Sequence, residues 1–262
     1  MKQNALRALM ISIICVAIAG GLVVISYHSS STLFGYPTLL VCAIIAFTMQ
    51  WLVFVPSYIL QTERLYDITG TATFIMVSVA ALYSVTPANM YQWLLASMVM
   101  IWALRLGSFL FLRIHTDGKD DRFDEIKKDK YRFFVTWTVQ GLWVLITSGA
   151  AITAIISANE TSIAWVSLLG FLIWLFGLGV EVIADIQKRR FKRSLHKAQP
   201  FINTGLWQYS RHPNYFGEIV LWIGVAIVAL PALSGWQYLM LISPLFVIIL
   251  LTKISGLPML EA

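Results

Sequence analysis

Apolar runs of about 20 residues, the length of helix that spans a hydrocarbon core, recur along the whole of this chain. Inside a bilayer a backbone polar group finds no water, so such runs fold as helices that satisfy their own hydrogen bonds. Charged residues make up 12% of the 262-residue sequence, against about 25% in a soluble domain. Mean hydropathy is +0.76. The alternation over about ten residues that marks an outer-membrane barrel is absent. The fold class expected is all-α: a polytopic transmembrane helix bundle, one integral-membrane domain over 1–262.

Eight spans are expected, near 7–27, 37–60, 68–86, 91–114, 133–156, 162–184, 216–231 and 237–255. The first follows Lys2 and Arg7 as a secretory signal does, but is too long for an h-region and lacks a small-x-small cleavage site. Positive charge sets the orientation. The connections at 28–36, 87–90, 157–161 and 232–236 contain no Lys or Arg, whereas 113–132 and 185–215 are strongly basic and Arg64 precedes the third span. Both termini and both basic connections are therefore expected on the cytoplasmic side. The net charge of +6 gathers there, which topology and anionic lipid account for without a nucleic-acid partner. Cys15 and Cys42 both lie in apolar runs, excluding a disulfide framework. No two of His28, His115, His196 and His212 have ligand spacing, so no metal site is expected.

Polar groups collect where lipid-facing sequence has no use for them. In 203–222, NTGLWQYSRHPNYFGEIVLW, Gly205 permits a turn and Pro213 suits a first helical position. The helix that follows puts Asn214, Glu218 and Trp222 on one face. Its start offers free N–H groups and a positive dipole end to an anion, with Arg211, His212 and Tyr215 beside it. The plainer reading is an interfacial helix start with a snorkelling arginine. Upstream, the sixth span ends with Glu181, Asp185, Lys188/Arg189 and Lys192 along one helical face. Snorkelling explains the outer cations, but acidic groups deep in an apolar helix point to function. Such a cationic face suits a pyrophosphate or a 2′-phosphate.

Arg105 lies well inside the fourth span and needs a partner, which Glu181, Asp185 or Glu218 can supply. Lys127 to Lys130 read as a solvated loop. Tyr66 and Asp67 open the third span, where Asp67 or Thr69 caps the helix or a proton donor faces a cavity. Gln50 and Gln140 are expected to bond to neighbouring helices.

These residues together resemble the steroid 5-alpha-reductase superfamily, especially its bacterial membrane members. The resemblance covers most of the chain and is strongest in RLGSFLFLRIHTDGKDDRFDEIKKD (105–129), EVIADIQKRRFK (181–192) and GLWQYSRHPNYFGEIVLW (205–222). The RHPNYxG pattern is also similar to that of isoprenylcysteine carboxyl methyltransferases and sterol reductases. The resemblance implies an integral-membrane, NADPH-dependent reductase of a lipid-soluble enone, steroid-like or isoprenoid, in a bacterial inner membrane. It implies that Asp185, Arg189 and Lys192 contact NADPH, that Asn214 and Glu218 lie near the nicotinamide, and that Arg211, His212 and Tyr215 extend that site. Two departures accompany it. The family's Gln-Glu pair in the second span is Gln50-Trp51 here, leaving Tyr66 and Asp67 as the catalytic alternatives. Relatives also continue past a segment like SGLPMLE with a basic, aromatic tail, while this sequence ends at Ala262. An S-adenosylmethionine-dependent methyltransferase of a lipid or isoprenoid acceptor and a non-catalytic lipid-binding protein remain the alternatives. The partners implied are a hydrophobic small molecule and membrane lipid.

Overall fold

A computed structural model of the protein describes residues 2–27, 30–117, 123–157, 163–193 and 201–254. The helices are α1 (Lys2–Ser26), α2 (Thr38–Ile59), α3 (Tyr66–Ser84), α4 (Met90–Asp117), α5 (Lys130–Ile156), α6 (Trp165–Arg193), α7 (Pro213–Ala229) and α8 (Ile242–Ile249). Among the described residues, eight helical segments are long and apolar enough to cross a membrane, as the sequence predicts. The chain is an all-α integral membrane protein. A hairpin of two-residue strands, Thr32–Leu33 with Tyr36–Pro37, joins α1 to α2.

Two boundaries differ from expectation in ways that matter. The sixth helix runs to Arg193 rather than stopping near 184, so its acidic and basic residues share one continuous helix. The seventh starts at Pro213, the first helical position the sequence offers, rather than at the expected span edge near 216, which places Asn214 and Tyr215 in its first turn. The last span is composite: a 3₁₀ segment (Gly235–Leu241), α8, then a π turn (Leu250–Ile254). Pro244 contributes to that break, having no N–H to return to the preceding turn.

With lipid outside, helices associate by close packing rather than by hydrophobicity. α5 is the central helix, buried along most of its length. α6 and α7 pair through glycines seven residues apart on each. A Cβ on Gly177 would sit 2.5 Å from the Leu221 nitrogen, and one on Gly224 would sit 2.5 Å from the Trp174 nitrogen. Gly170 and Gly217 make the matching approaches, so the two backbones touch over two helical turns. Where α3, α4, α5 and α7 meet, Phe74 packs edge-on to Trp102 and Trp143, and Trp102 lies 4.8 Å from Trp222. Gln50 donates to the Thr73 hydroxyl at 3.0 Å and Gln140 to the Tyr66 carbonyl at 3.2 Å, the interhelical bonds expected of them.

Lys127 is not the solvated charge that its loop suggests. Its ammonium bonds Glu63, a buried carboxylate on the α2–α3 connection, at 2.9 Å and lies 3.4 Å from Asp124. The hydrogen bond to Glu63 raises the Lys127 pKa above the ordinary lysine value. The folded state thus holds that proton more tightly than the unfolded chain. The pair's stabilisation is fully present below about pH 10.4 and is lost as pH climbs through the folded pKa. Alkaline unfolding in detergent, followed by circular dichroism, should show a larger loss of stability in wild type than in Lys127→Met.

Candidate active site

The glycine contact decides where the carboxylates go. A Cβ on Gly217 would lie 2.6 Å from the Glu181 nitrogen and 2.9 Å from the Glu181 side chain. The first turns of α7 are therefore pressed against the Glu181–Asp185 stretch of α6. Arg105 enters from α4. Its guanidinium bonds the carboxylates of both Glu181 and Asp185, and its second terminal nitrogen also reaches the Glu181 carbonyl oxygen at 3.4 Å. The Arg105 side chain is 17% exposed, those of Glu181 and Asp185 2% and 7%. Glu218 on α7 is near enough to act electrostatically on Glu181, Asp185 and Arg105. Two carboxylates thus clamp one guanidinium, with a third within electrostatic reach.

The Asn214 amide lies against Asp185. Buried Asn214 Oδ1 and Glu181 Oε2 have no hydrogen-bond partner among the described residues. Buried polar groups are generally paired, and these two acceptors, one on each of the paired helices, are left open. They suit a ligand that brings N–H donors.

The outer end of the site has the opposite sign. Lys188 is half-buried, its ammonium 5.1 Å from the centre of the Trp207 ring, and both Arg113 of α4 and Lys192 bear on it electrostatically. Arg189, next in sequence, is half-buried, and Lys192, one turn beyond Lys188, is exposed. The 201–212 segment folds back over this end. Gly205 adopts φ +62°, and a Cβ there would strike the Gln187 side chain at 2.4 Å. The next residue, Leu206, donates its N–H to Gln187 at 3.0 Å, and the Trp207 indole donates to the Ala184 carbonyl at 3.0 Å. The segment's last residues bring His212 to α7, its ring stacked on Tyr215 at 5.3 Å and its backbone N–H donating to the Ser210 hydroxyl. Arg211 is exposed at the rim.

Asp185, Asn214 and Glu218 are thus gathered along the α6–α7 contact, with His212 and Tyr215 at its edge and Arg189 one turn beyond Asp185 on α6. Tyr66 and Asp67 are placed differently from these and from one another. The Tyr66 ring packs between Phe123 and Trp137, and its hydroxyl donates to the Thr136 carbonyl at 3.3 Å, on the α5 side of the bundle. Asp67 lines a cavity of about 20 Å³ between α3, α4 and α5, with Thr71, Trp102, Ala103, Leu106 and Gln140. At the start of α3 the N-cap position is Leu65, which makes no side-chain cap bond; Asp67 lies in the first turn, and Thr69 is not a cap, since its hydroxyl bonds back to the Leu65 carbonyl. Sequence reasoning missed the glycines that build the site. Their signal was the repeat at 170/177 and 217/224, seven apart on both helices.

The family model "Protein of unknown function (DUF1295)" matches residues 53–262. The chain belongs to the DUF1295 family. That family is part of the steroid 5-alpha-reductase superfamily, the group that the sequence resembles. Among curated proteins, this DUF1295 member is similar to "3-oxo-5-alpha-steroid 4-dehydrogenase 1" of Bos taurus, 30% identical over 71 residues, which are 27% of each chain. The protein of the same name from Mus musculus is 32% identical over 62 residues, 24% of each chain. The similarity therefore spans about a quarter of the length of these relatives. No solved structure gives a significant match.

Proposed function

We propose that this protein is an integral-membrane reductase that uses NADPH to reduce the C=C bond of a lipid-soluble enone. The observation that carries this reading is the polarity of the α6–α7 site: orphan acceptors and carboxylates at its inner end, cations at its outer end. The donor set fits the nucleotide. Lys188, Arg189 and Lys192, with Arg113 and Arg211, offer charge to its phosphates. Arg105 is already committed to Glu181 and Asp185 and is left out of that role. Asn214 Oδ1 and Glu181 Oε2, which lack partners among the described residues, would accept from its carboxamide. When bound, the reduced nicotinamide supplies a hydride and is left cationic, which an excess of carboxylate over guanidinium would stabilise.

The reduction takes up one proton as well as the hydride. Asp67 is the group we assign to deliver it, being the carboxyl that lines the small cavity beside Trp102. Tyr66 is bonded to a backbone carbonyl on the other side. The names of the curated relatives supply the class of reaction and the enone character of the substrate. The basic connections supply a cytoplasmic orientation for the site, where soluble nucleotide is available, and the apolar surround supplies access from lipid. Purified protein with NADPH and a panel of steroid-like and isoprenoid enones should show enone-dependent NADPH oxidation. Asp67→Asn should lower kcat by about 10²–10⁴-fold. Absence of turnover across the panel, or an unaltered kcat in the variant, would count against the reaction or the donor respectively.

One observation favours a second reading. The carboxyl-rich inner end also suits a sulfonium, so an S-adenosylmethionine-dependent methyl transfer to a lipid acceptor is the alternative. The basic outer face argues for the nucleotide phosphates, which adenosylmethionine lacks.

A further inference from the structure

A groove of about 370 Å³ opens between the start of α1, the end of α2 and the start of α5. These three helix ends lie at one membrane face: Asn4 of α1 donates to Asp129, the residue that caps α5, at 2.9 Å. From Ala5 to Ser12 the groove follows α1 for about two turns, or about 10 Å into the apolar layer. It is apolar along its length, with Ala8 and Leu9 on one wall and Phe54 and Phe134 on the other. Its size falls within the range of about 300–1,000 Å³ typical of small-molecule sites.

Its polar groups are few and specific. Lys130 stands at the mouth, exposed, with its ammonium 4.9 Å from the centre of the Tyr131 ring and no carboxylate partner among the described residues. Tyr58 and Tyr131 also line it, amphipathic rings of the kind that settle at a headgroup boundary. Deeper in, the Ser12 hydroxyl is buried without a hydrogen-bond partner among the described residues. A purely hydrocarbon occupant would leave the Ser12 hydroxyl unpaired and Lys130 without a counter-charge. A soluble anion would leave the apolar walls bare.

We propose that this groove is a binding site for one anionic phospholipid. The phosphate pairs with Lys130, an ester carbonyl accepts from Ser12, and an acyl chain lies between Ala8 and Phe134. The site belongs to the α1–α2–α5 side of the bundle and shares no lining residue with the charged cluster on α4, α6 and α7. It therefore stands or falls independently of the nucleotide reading.

The test is lipid retention. Wild type, Lys130→Gln and Ala8→Phe are extracted, washed in delipidating detergent and analysed by native mass spectrometry, with retained lipid identified by fragmentation. Wild type should keep one phospholipid of net negative headgroup. Lys130→Gln should retain about fivefold less, the effect of one cation near a lipid surface, and Ala8→Phe should retain none. Equal retention by Lys130→Gln would overturn the proposal. So would a neutral phospholipid or an isoprenoid as the retained species, the latter marking a substrate entrance. If Ala8→Phe elutes as aggregate, the exposed Lys130→Gln decides alone.

Discussion

Arg105→Leu should lower the stability of the detergent-solubilised protein by about 3–5 kcal/mol, the cost of stranding buried charge by removing its partner. The guanidinium is shared by Glu181 and Asp185, and Glu218 faces the same place, so its loss leaves three carboxylates together with no guanidinium among them. Arg105→Lys should recover only part of that loss. A single ammonium is a point charge and cannot span two carboxylates as a planar fork does. The triple variant Arg105→Leu/Glu181→Leu/Asp185→Leu should regain most of the stability, because a buried ionic group is often replaceable by packed apolar residues. It should also lose nucleotide binding. Thermal unfolding read by circular dichroism measures all three. A single variant as stable as wild type would mean that Arg105 is solvated rather than clamped.

Gly177→Leu should separate α6 from α7. The clash is with backbone, the Leu221 nitrogen at 2.5 Å and the Gly217 oxygen at 2.7 Å, and backbone cannot rotate away as a side chain can. Even Gly177→Ala should cost about 1–3 kcal/mol, the usual range for overpacking, and the leucine more. Gly179→Leu is the control on the same helix, since nothing lies within 4 Å of a Cβ placed there. The functional consequence follows from position. Glu181 is one turn beyond Gly177 and Glu218 adjoins Gly217, so prising the helices apart separates the carboxylates as well. A Gly177→Leu protein with wild-type stability and nucleotide affinity would refute the close packing on which the site depends.

The elements most legible in the sequence are those governed by local physics. Span number followed from apolar length, the α7 start from Pro213, the 205 turn from glycine, and the need of Arg105 for a partner from the cost of charge in lipid. Pairings distant in sequence were much less so. Lys127 sits among charges that read as a solvated loop, and its partner Glu63 is 64 residues away. Tyr66 and Asp67 are neighbours in sequence but face different surroundings, because successive helical side chains point about 100° apart. The glycines of α6 and α7 were visible but not distinctive, since glycine is common in membrane helices for several reasons. Their meaning appears only when the second helix is set against the first. The tail beyond Ile254 lies outside the described residues.

The measurement that bears most directly on the account is a titration of the purified protein in detergent with NADPH, with S-adenosylmethionine as competitor. Saturable NADPH binding that adenosylmethionine does not displace is the expected result, with affinity about tenfold weaker in Glu218→Gln, as for the loss of a charged contact. No saturable NADPH binding by wild type, or displacement by adenosylmethionine, would contradict it.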